Sequence, residues 1–185
     1  IDNSYDADAS RIDVTIGLDP NNEERPFVRI LDDGKGIPQD KWGDAMMLGM
    51  QRTRKDTDLG IFGVGLKLSS LSQANEVTVA SIHNDIFDLR RISASHIRRT
   101  KRNELLVSPP KSGIYSESRS LMSGEGWSTM VLLEDIHSSR RFMSMDSTDS
   151  AALQKEIKRI TTHLGLTFQR VLESKSRGDV EIKFQ

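Results

Sequence analysis

Cysteine is absent from the sequence, which rules out disulfides and thiolate chemistry and suits a reducing compartment. Long hydrophobic runs are missing too. No apolar stretch approaches the roughly 20 residues that span a bilayer, and the start lacks the charged-then-apolar pattern of a secretion signal. We therefore expect a soluble, cytoplasmic protein with no membrane partner. Excess charge of either sign is also lacking: 26 Lys and Arg face 27 Asp and Glu, for a net charge of −1. No global pull toward nucleic acid or membrane follows from that balance. The histidines His83, His96, His137 and His163 show no metal-ligand spacing, so surface or structural roles are expected for them.

What is present suits one domain. The chain has 185 residues and 36% hydrophobic content, enough to bury a continuous core. It opens mid-pattern with Ile1-Asp2-Asn3-Ser4-Tyr5-Asp6-Ala7 and stops inside the alternating Val180-Glu181-Ile182-Lys183-Phe184. We expect a single domain over residues 1–185, truncated at its first helix and at its last strand.

Residues 1–9 suit the end of a helix, with Asn3, Asp6 and Ala7 on one face. Ile12, Val14, Ile16 and Leu18 alternate as in a half-buried strand, and a second β-branched run covers 27–31. A short helix is expected over Gln39–Leu48, another from about Val64 to Leu71, and a hairpin from Glu76–Ile82 and Ile86–Arg91 across His83-Asn84-Asp85. The serine-rich stretch 108–126, with Pro109, Pro110, Gly113, Gly124 and Gly126, reads as a mobile surface loop. Strand character resumes over Trp127–Ile136. Leu153, Ile157, Ile160, Leu164, Phe168 and Val171 then recur at helical spacing. Strands and helices without regular alternation, together with a hairpin, predict an α+β fold: a two-layer α/β sandwich whose mixed, mostly antiparallel sheet is covered by helices on one face.

Three clusters carry chemistry. On the first helix, the amide oxygen of Asn3 can complete the oxygen shell of a Mg²⁺ ion that also holds phosphates, although Asn and Asp also serve simply to solvate a helix end. The second cluster, Asp32-Asp33-Gly34-Lys35-Gly36-Ile37-Pro38, follows an apolar strand. A carboxylate there can accept from an adenine amino group while glycines admit the backbone close to base and ribose; the plain alternative is an Asp-Gly surface turn. The third, Leu59-Gly60-Ile61-Phe62-Gly63-Val64-Gly65-Leu66-Lys67, runs into a helix, where free N–H groups and the helix dipole favour phosphate. Leu66 stands between Gly65 and Lys67, unlike a P-loop, and Leu68 stands where a dinucleotide fingerprint needs glycine.

In this order and at these separations, Asn-x-x-Asp-Ala, Asp-x-Gly-x-Gly and Gly-x-x-Gly-x-Gly resemble the N-box and glycine motifs of the GHKL superfamily, the Bergerat fold of gyrase, the large heat-shock chaperone, histidine kinases and MutL. Ser128-Thr129-Met130-Val131 is similar to its Gly-Thr-x-Val strand, with Ser128 in place of Gly. The resemblance implies ATP and Mg²⁺ as ligands, with Asn3 on the metal and Asp6 and Ala7 on the same helix face. It implies that Asp32 reads adenine, that Gly34, Gly36 and Ile37 shape the base pocket, and that Thr129 supports the adenine end. Gly60, Gly63, Val64 and Gly65 would close over the phosphates as part of a lid spanning 49–65. Lys67 is either a phosphate contact or a solvated lysine, and Met47 either lines the pocket or joins the core with Trp42, Met46 and Met50.

In the hydrolysing branches the general base is a Glu four residues before the motif Asn, ahead of Ile1 here, so no catalytic residue is expected within the chain. Asp6-Ala7 favours the MutL, gyrase and chaperone side over the kinases, and Asp58 to Gln73 resembles bacterial ATP-binding proteins of that side and the MORC group. The leading expectation is an ATPase module whose lid closes to drive switching or ATP-dependent homodimerisation of a larger protein. A histidine-kinase-type phosphotransferase and a non-hydrolysing nucleotide-gated module remain as alternatives. Arg90, Arg91, Arg98, Arg99, Lys101 and Arg102 fall within an acid-free stretch that reads either as a DNA-contacting surface or as a solvated strand end and short helix.

Overall fold

The computed structural model of the protein describes residues 2–19, 22–46, 70–108, 112–136, 158 and 181–184. Helix α1 spans Asp2–Asp6 and is followed by β1, Arg11–Asp19, and β2, Asn22–Asp32. A 3-10 turn at Gln39–Lys41 leads into α2, Trp42–Met46. After α3, Ser70–Gln73, come β3, Ala74–His83, and β4, Ile86–Ser93. Then follow α4, Ala94–Thr100, β5, Leu106–Val107, α5, Gly113–Glu125, β6, Thr129–Ile136, and β7, Glu181–Phe184.

The strands form one seven-stranded sheet in the order β5-β4-β3-β6-β2-β1-β7. Every pairing is antiparallel except that of β7 with β1, which is parallel, so the sheet is mixed and mostly antiparallel as the pattern predicts. The β3–β4 hairpin turns on Asn84 and Asp85, both in the left-handed region at φ 50° and 63°, as a two-residue hairpin turn demands.

Because side chains alternate along a strand, the registers sort the core into two layers. Val77, Val79, Ile92 and Leu133 share one face and pack beneath Trp42 and Met46 of α2, with Leu71 of α3 and Ile97 of α4 against them. Ala9, Ile12 and Val14 extend that layer beside α1. Leu31, Ala80, Leu89 and Met130 share the opposite face, where Met122 and Leu121 of α5 cover them. Helices α1 to α4 thus line one face as expected, while α5 adds cover to the other.

The expected loop at 108–126 is corrected over most of its length, since Gly113–Glu125 is helical. Its apolar residues Ile114, Tyr115, Leu121 and Met122 do recur on one helical face, but Ser116, Ser120 and Ser123 on the exposed side dominate the composition. The glycines punctuate the helix rather than break it: Gly113 opens it, and the N–H of Gly126 caps it on the Met122 carbonyl. Tyr115 meets Phe87 edge to face, with ring centroids 4.7 Å apart.

The hairpin and β6 appear close to their predicted bounds, and β2 begins earlier than the expected run at 27–31. The helix expected over Gln39–Leu48 is a 3-10 turn followed by α2, with 47–48 outside the described residues, as are 64–69 of the helix expected to end near Leu71. The periodic stretch from Leu153 to Val171 lies outside the described residues except for Lys158.

Candidate functional site

The site is built where α1, the end of β2, the start of β6 and the middle of β3 meet. Direct pairing aligns Asp32 with Thr129 and Thr129 with Ser81, so one cross-strand row carries a carboxylate and two hydroxyls on the α1 face of the sheet. Among the apolar rows of this sheet, such a cluster has a desolvation cost that hydrogen bonds must offset.

Asp32 is only 5% exposed. Its Oδ2 accepts from the Ser4 hydroxyl at 2.9 Å and its Oδ1 from the Gly34 N–H at 3.1 Å. Burial pushes the Asp32 carboxyl above its ordinary value, while donors from Ser4, Gly34 and Thr129 pull it back down in part. The result is a carboxylate fixed in orientation by its neighbours yet incompletely compensated for the loss of water.

The adjoining loop is held by its own backbone. The Lys35 N–H donates to the Ala7 carbonyl at 3.0 Å, and the Lys35 carbonyl lies 2.7 Å from Nδ1 of His83. Two glycines are required there. A Cβ on Gly34 would lie 2.8 Å from the Ala7 carbonyl oxygen, and Gly36, at φ +69°, would place one 2.3 Å from the Ile82 carbonyl oxygen. The Ile37 N–H donates to Ser81 Oγ at 2.7 Å, and that hydroxyl donates onward to the Ser128 carbonyl at 3.1 Å. Asp33, by contrast, turns away and accepts from the N–H groups of Ser10 and Arg11 and from their side chains. Partial burial works to raise its pKa, but these donors prevail and hold it below its ordinary value.

The structure thus brings together Asp6, Ala7, Asp32, Gly34, Gly36, Ile37 and Thr129, with Asn3 exposed one turn before Asp6 on α1. Met47, Gly60, Gly63, Val64, Gly65 and Lys67, and with them the lid at 49–65, lie outside the described residues. An exposed amide oxygen at Asn3 fits Mg²⁺ binding of the kind in which phosphates and water supply the remaining oxygens. Among the described residues no three His, Asp or Glu gather as a metal cage. No described helix is long and apolar enough to cross a membrane.

Ser4 and Ser81, which orient the carboxylate and the loop, carried no signal in the sequence: one sits between motif residues and the other inside an apolar strand. The cationic stretch is divided between the two faces of β4 and the exposed positions of α4 and the residues after it. Arg90 and Arg91 occupy consecutive positions of β4 and so face opposite sides. Arg90 pairs with Asp88 and lies over the Trp42 ring, while Arg91 pairs with Glu76 and Glu134. Arg98 donates to Asn75, Arg99 lies 3.5 Å from His96, Arg102 pairs with Glu104, and Lys101 occupies the left-handed C-cap of α4.

Against models of known families, residues 1–126 match the one described as histidine kinase-, DNA gyrase B-, and HSP90-like ATPase. No curated protein matches the chain.

Proposed function

The chain belongs to the histidine kinase-, DNA gyrase B-, and HSP90-like ATPase family and carries its ATP-binding domain, and from that premise we propose how it reads and uses the nucleotide. Asp32 accepts the adenine amino group, and the hydroxyl of Thr129 supports the base from the next strand. Gly34 and Gly36 keep the loop low enough for the base to lie against it, and Ile37 supplies apolar contact. The observation that carries this reading is the buried, pre-oriented carboxylate of Asp32 at the head of a polar row that adjoins the apolar row of Ile30, Val131 and Val79. A buried carboxylate that, among the described residues, pairs with no Lys or Arg is costly to keep at the strand end; recognition of a donor ligand gives it a use.

Asn3 would hold Mg²⁺ through its amide oxygen, the ion supplying positive charge to offset that of the phosphates, and Gly60, Gly63, Val64, Gly65 and Lys67 would cover the phosphates. Asn3 and Asp6 share one side of α1, so metal and base are held by a single helix. Lid closure over the triphosphate drives switching or dimerisation of a larger protein, and hydrolysis, with a general base four residues before Asn3, resets it.

Calorimetric titration of Mg-ATP into the wild type and Asp32→Asn tests the base half of this reading. Strong ATP binding that vanishes in a folded variant is the expected result, and equal affinity removes Asp32 from the site. Hydrogen exchange across 49–62 tests the lid: added protection with a nonhydrolysable triphosphate and Mg²⁺ supports it, and equal exchange counts against it.

A further inference from the structure

Arg11 is the first residue of β1, and because Ile12 pairs directly with Asp32, the Arg11 side chain lies on the opposite face of the sheet from the Asp32 carboxylate. From there one guanidinium reaches three groups. Its Nε donates to Asp33 Oδ2 at 3.1 Å, and an Nη donates to the Glu125 carbonyl at 3.1 Å. Its Cζ lies 4.5 Å from the centroid of the Trp127 ring. The Trp127 indole N–H is in turn fixed on Glu125 at 2.9 Å, and Trp127 is 8% exposed.

These contacts bracket the recognition pair. Asp33 immediately follows Asp32, and Trp127 stands two residues before Thr129, with Ser128 between them donating its N–H to the Asp32 carbonyl at 2.8 Å. The planar fork of Arg11 therefore ties the end of β2 to the start of β6 at the one level of the sheet where Asp32 and Thr129 face forward. Asp33 has no role in the motif as a ligand group, yet it takes donors from two residues of the β1 start. That arrangement has the form of a brace.

We propose that Arg11 is a positioning residue for base recognition: from behind the sheet it sets the separation and orientation of Asp32 and Thr129, and it never touches the nucleotide. The proposal rests on the adenine reading given above. It makes Arg11 a determinant of base selectivity rather than of phosphate or metal binding, because among the described residues its side chain reaches Asp33, Glu125 and Trp127 behind the sheet.

The test compares wild type, Arg11→Met and Arg11→Lys. Arg11→Met keeps an unbranched aliphatic side chain without the charge or the fork, and Arg11→Lys keeps the charge without the fork. Competition against a fluorescent adenine nucleotide gives affinities for ATP and GTP, with thermal melts alongside. In Arg11→Met, ATP affinity should fall roughly tenfold with GTP affinity changed by less than about twofold, and Arg11→Lys should fall between. Unchanged ATP affinity, or an equal loss for ATP and GTP, overturns the proposal. If Arg11→Met does not melt cooperatively, Arg11→Lys is judged by the same two criteria. Absence of ATP binding in the wild type would instead overturn the adenine reading itself.

Discussion

The hydroxyl of Ser4 donates to Oδ2 of Asp32 at 2.9 Å, joining the first helix to the end of β2 across 28 positions of sequence. The carboxylate that would read the base is thus aimed from the helix that would hold the metal. Ser4→Ala removes one of the donors that offset burial, so the Asp32 pKa should rise further and the acidic limb of ATP binding should move toward neutral pH. ATP affinity measured against pH, in the variant and the wild type, checks this; superimposable profiles would remove Ser4 from the site.

Asp32 itself should trade stability against function. Its folded pKa is raised, so its favourable contribution to folding is fully present below the unfolded value of 3.8 and is lost as pH rises through the folded value. At neutral pH the ionised group therefore costs stability. Asp32→Asn, which keeps an acceptor for the Gly34 N–H, should melt at or above the wild-type temperature at pH 7 while losing nucleotide binding. A clear drop in melting temperature would show that the charge stabilises the fold.

Asp33 carries the opposite sign. Its folded pKa is lowered, so its contribution is present above 3.8 and is lost as pH falls through a still lower value. Asp33→Asn should cost about 1 kcal/mol at pH 7 through weakened charge-assisted bonds to Ser10 and Arg11. The cost should vanish in strong acid, and denaturant melts at both pH values decide it.

Gly36→Ala meets both a left-handed backbone and the Ile82 carbonyl 2.3 Å from the new carbon. A loss of about 2 kcal/mol or more is expected, with ATP affinity falling alongside as the loop lifts away from β3. Urea denaturation and calorimetry report the two effects, and a wild-type-like midpoint would contradict the close approach.

Asn3→Ala leaves the buried side of α1 intact because Asn3 is exposed. It should abolish the Mg²⁺ dependence of ATP binding while sparing affinity in the presence of a chelator. Titration with and without Mg²⁺ measures the difference, and an unchanged metal effect would place the ion elsewhere.

The motif residues that the structure gathers beside α1 stood out in the sequence, and the groups that hold them there did not. Asp32, Gly34 and Gly36 stand out because a carboxylate between an apolar strand and two glycines is more than a turn requires. Ser4, Ser81 and Arg11 acquire meaning only through contacts with distant segments, and no local pattern encodes that. The strands were readable from alternation of apolar residues. Helix α5 was hidden because serine lowers helix propensity only slightly yet dominates loop composition, so counting residue types masked a real stripe of Ile114, Tyr115, Leu121 and Met122. The pattern also could not show α5 crossing to the other side of the sheet, since that is decided by the route of the connections and not by the helix itself.

The parallel pairing of β7 with β1 sets a schedule for the nascent chain. Arg11 and Glu181 are register partners, 170 positions apart. At ribosomal speeds, β1 waits roughly ten to thirty seconds after its own synthesis before that neighbour exists. During this interval β2 can already cover one side of β1, but the other side presents unpaired peptide groups of the kind that recruit foreign strands. The stretch Arg11–Val14 of that edge is closed only after residues 181–184 emerge.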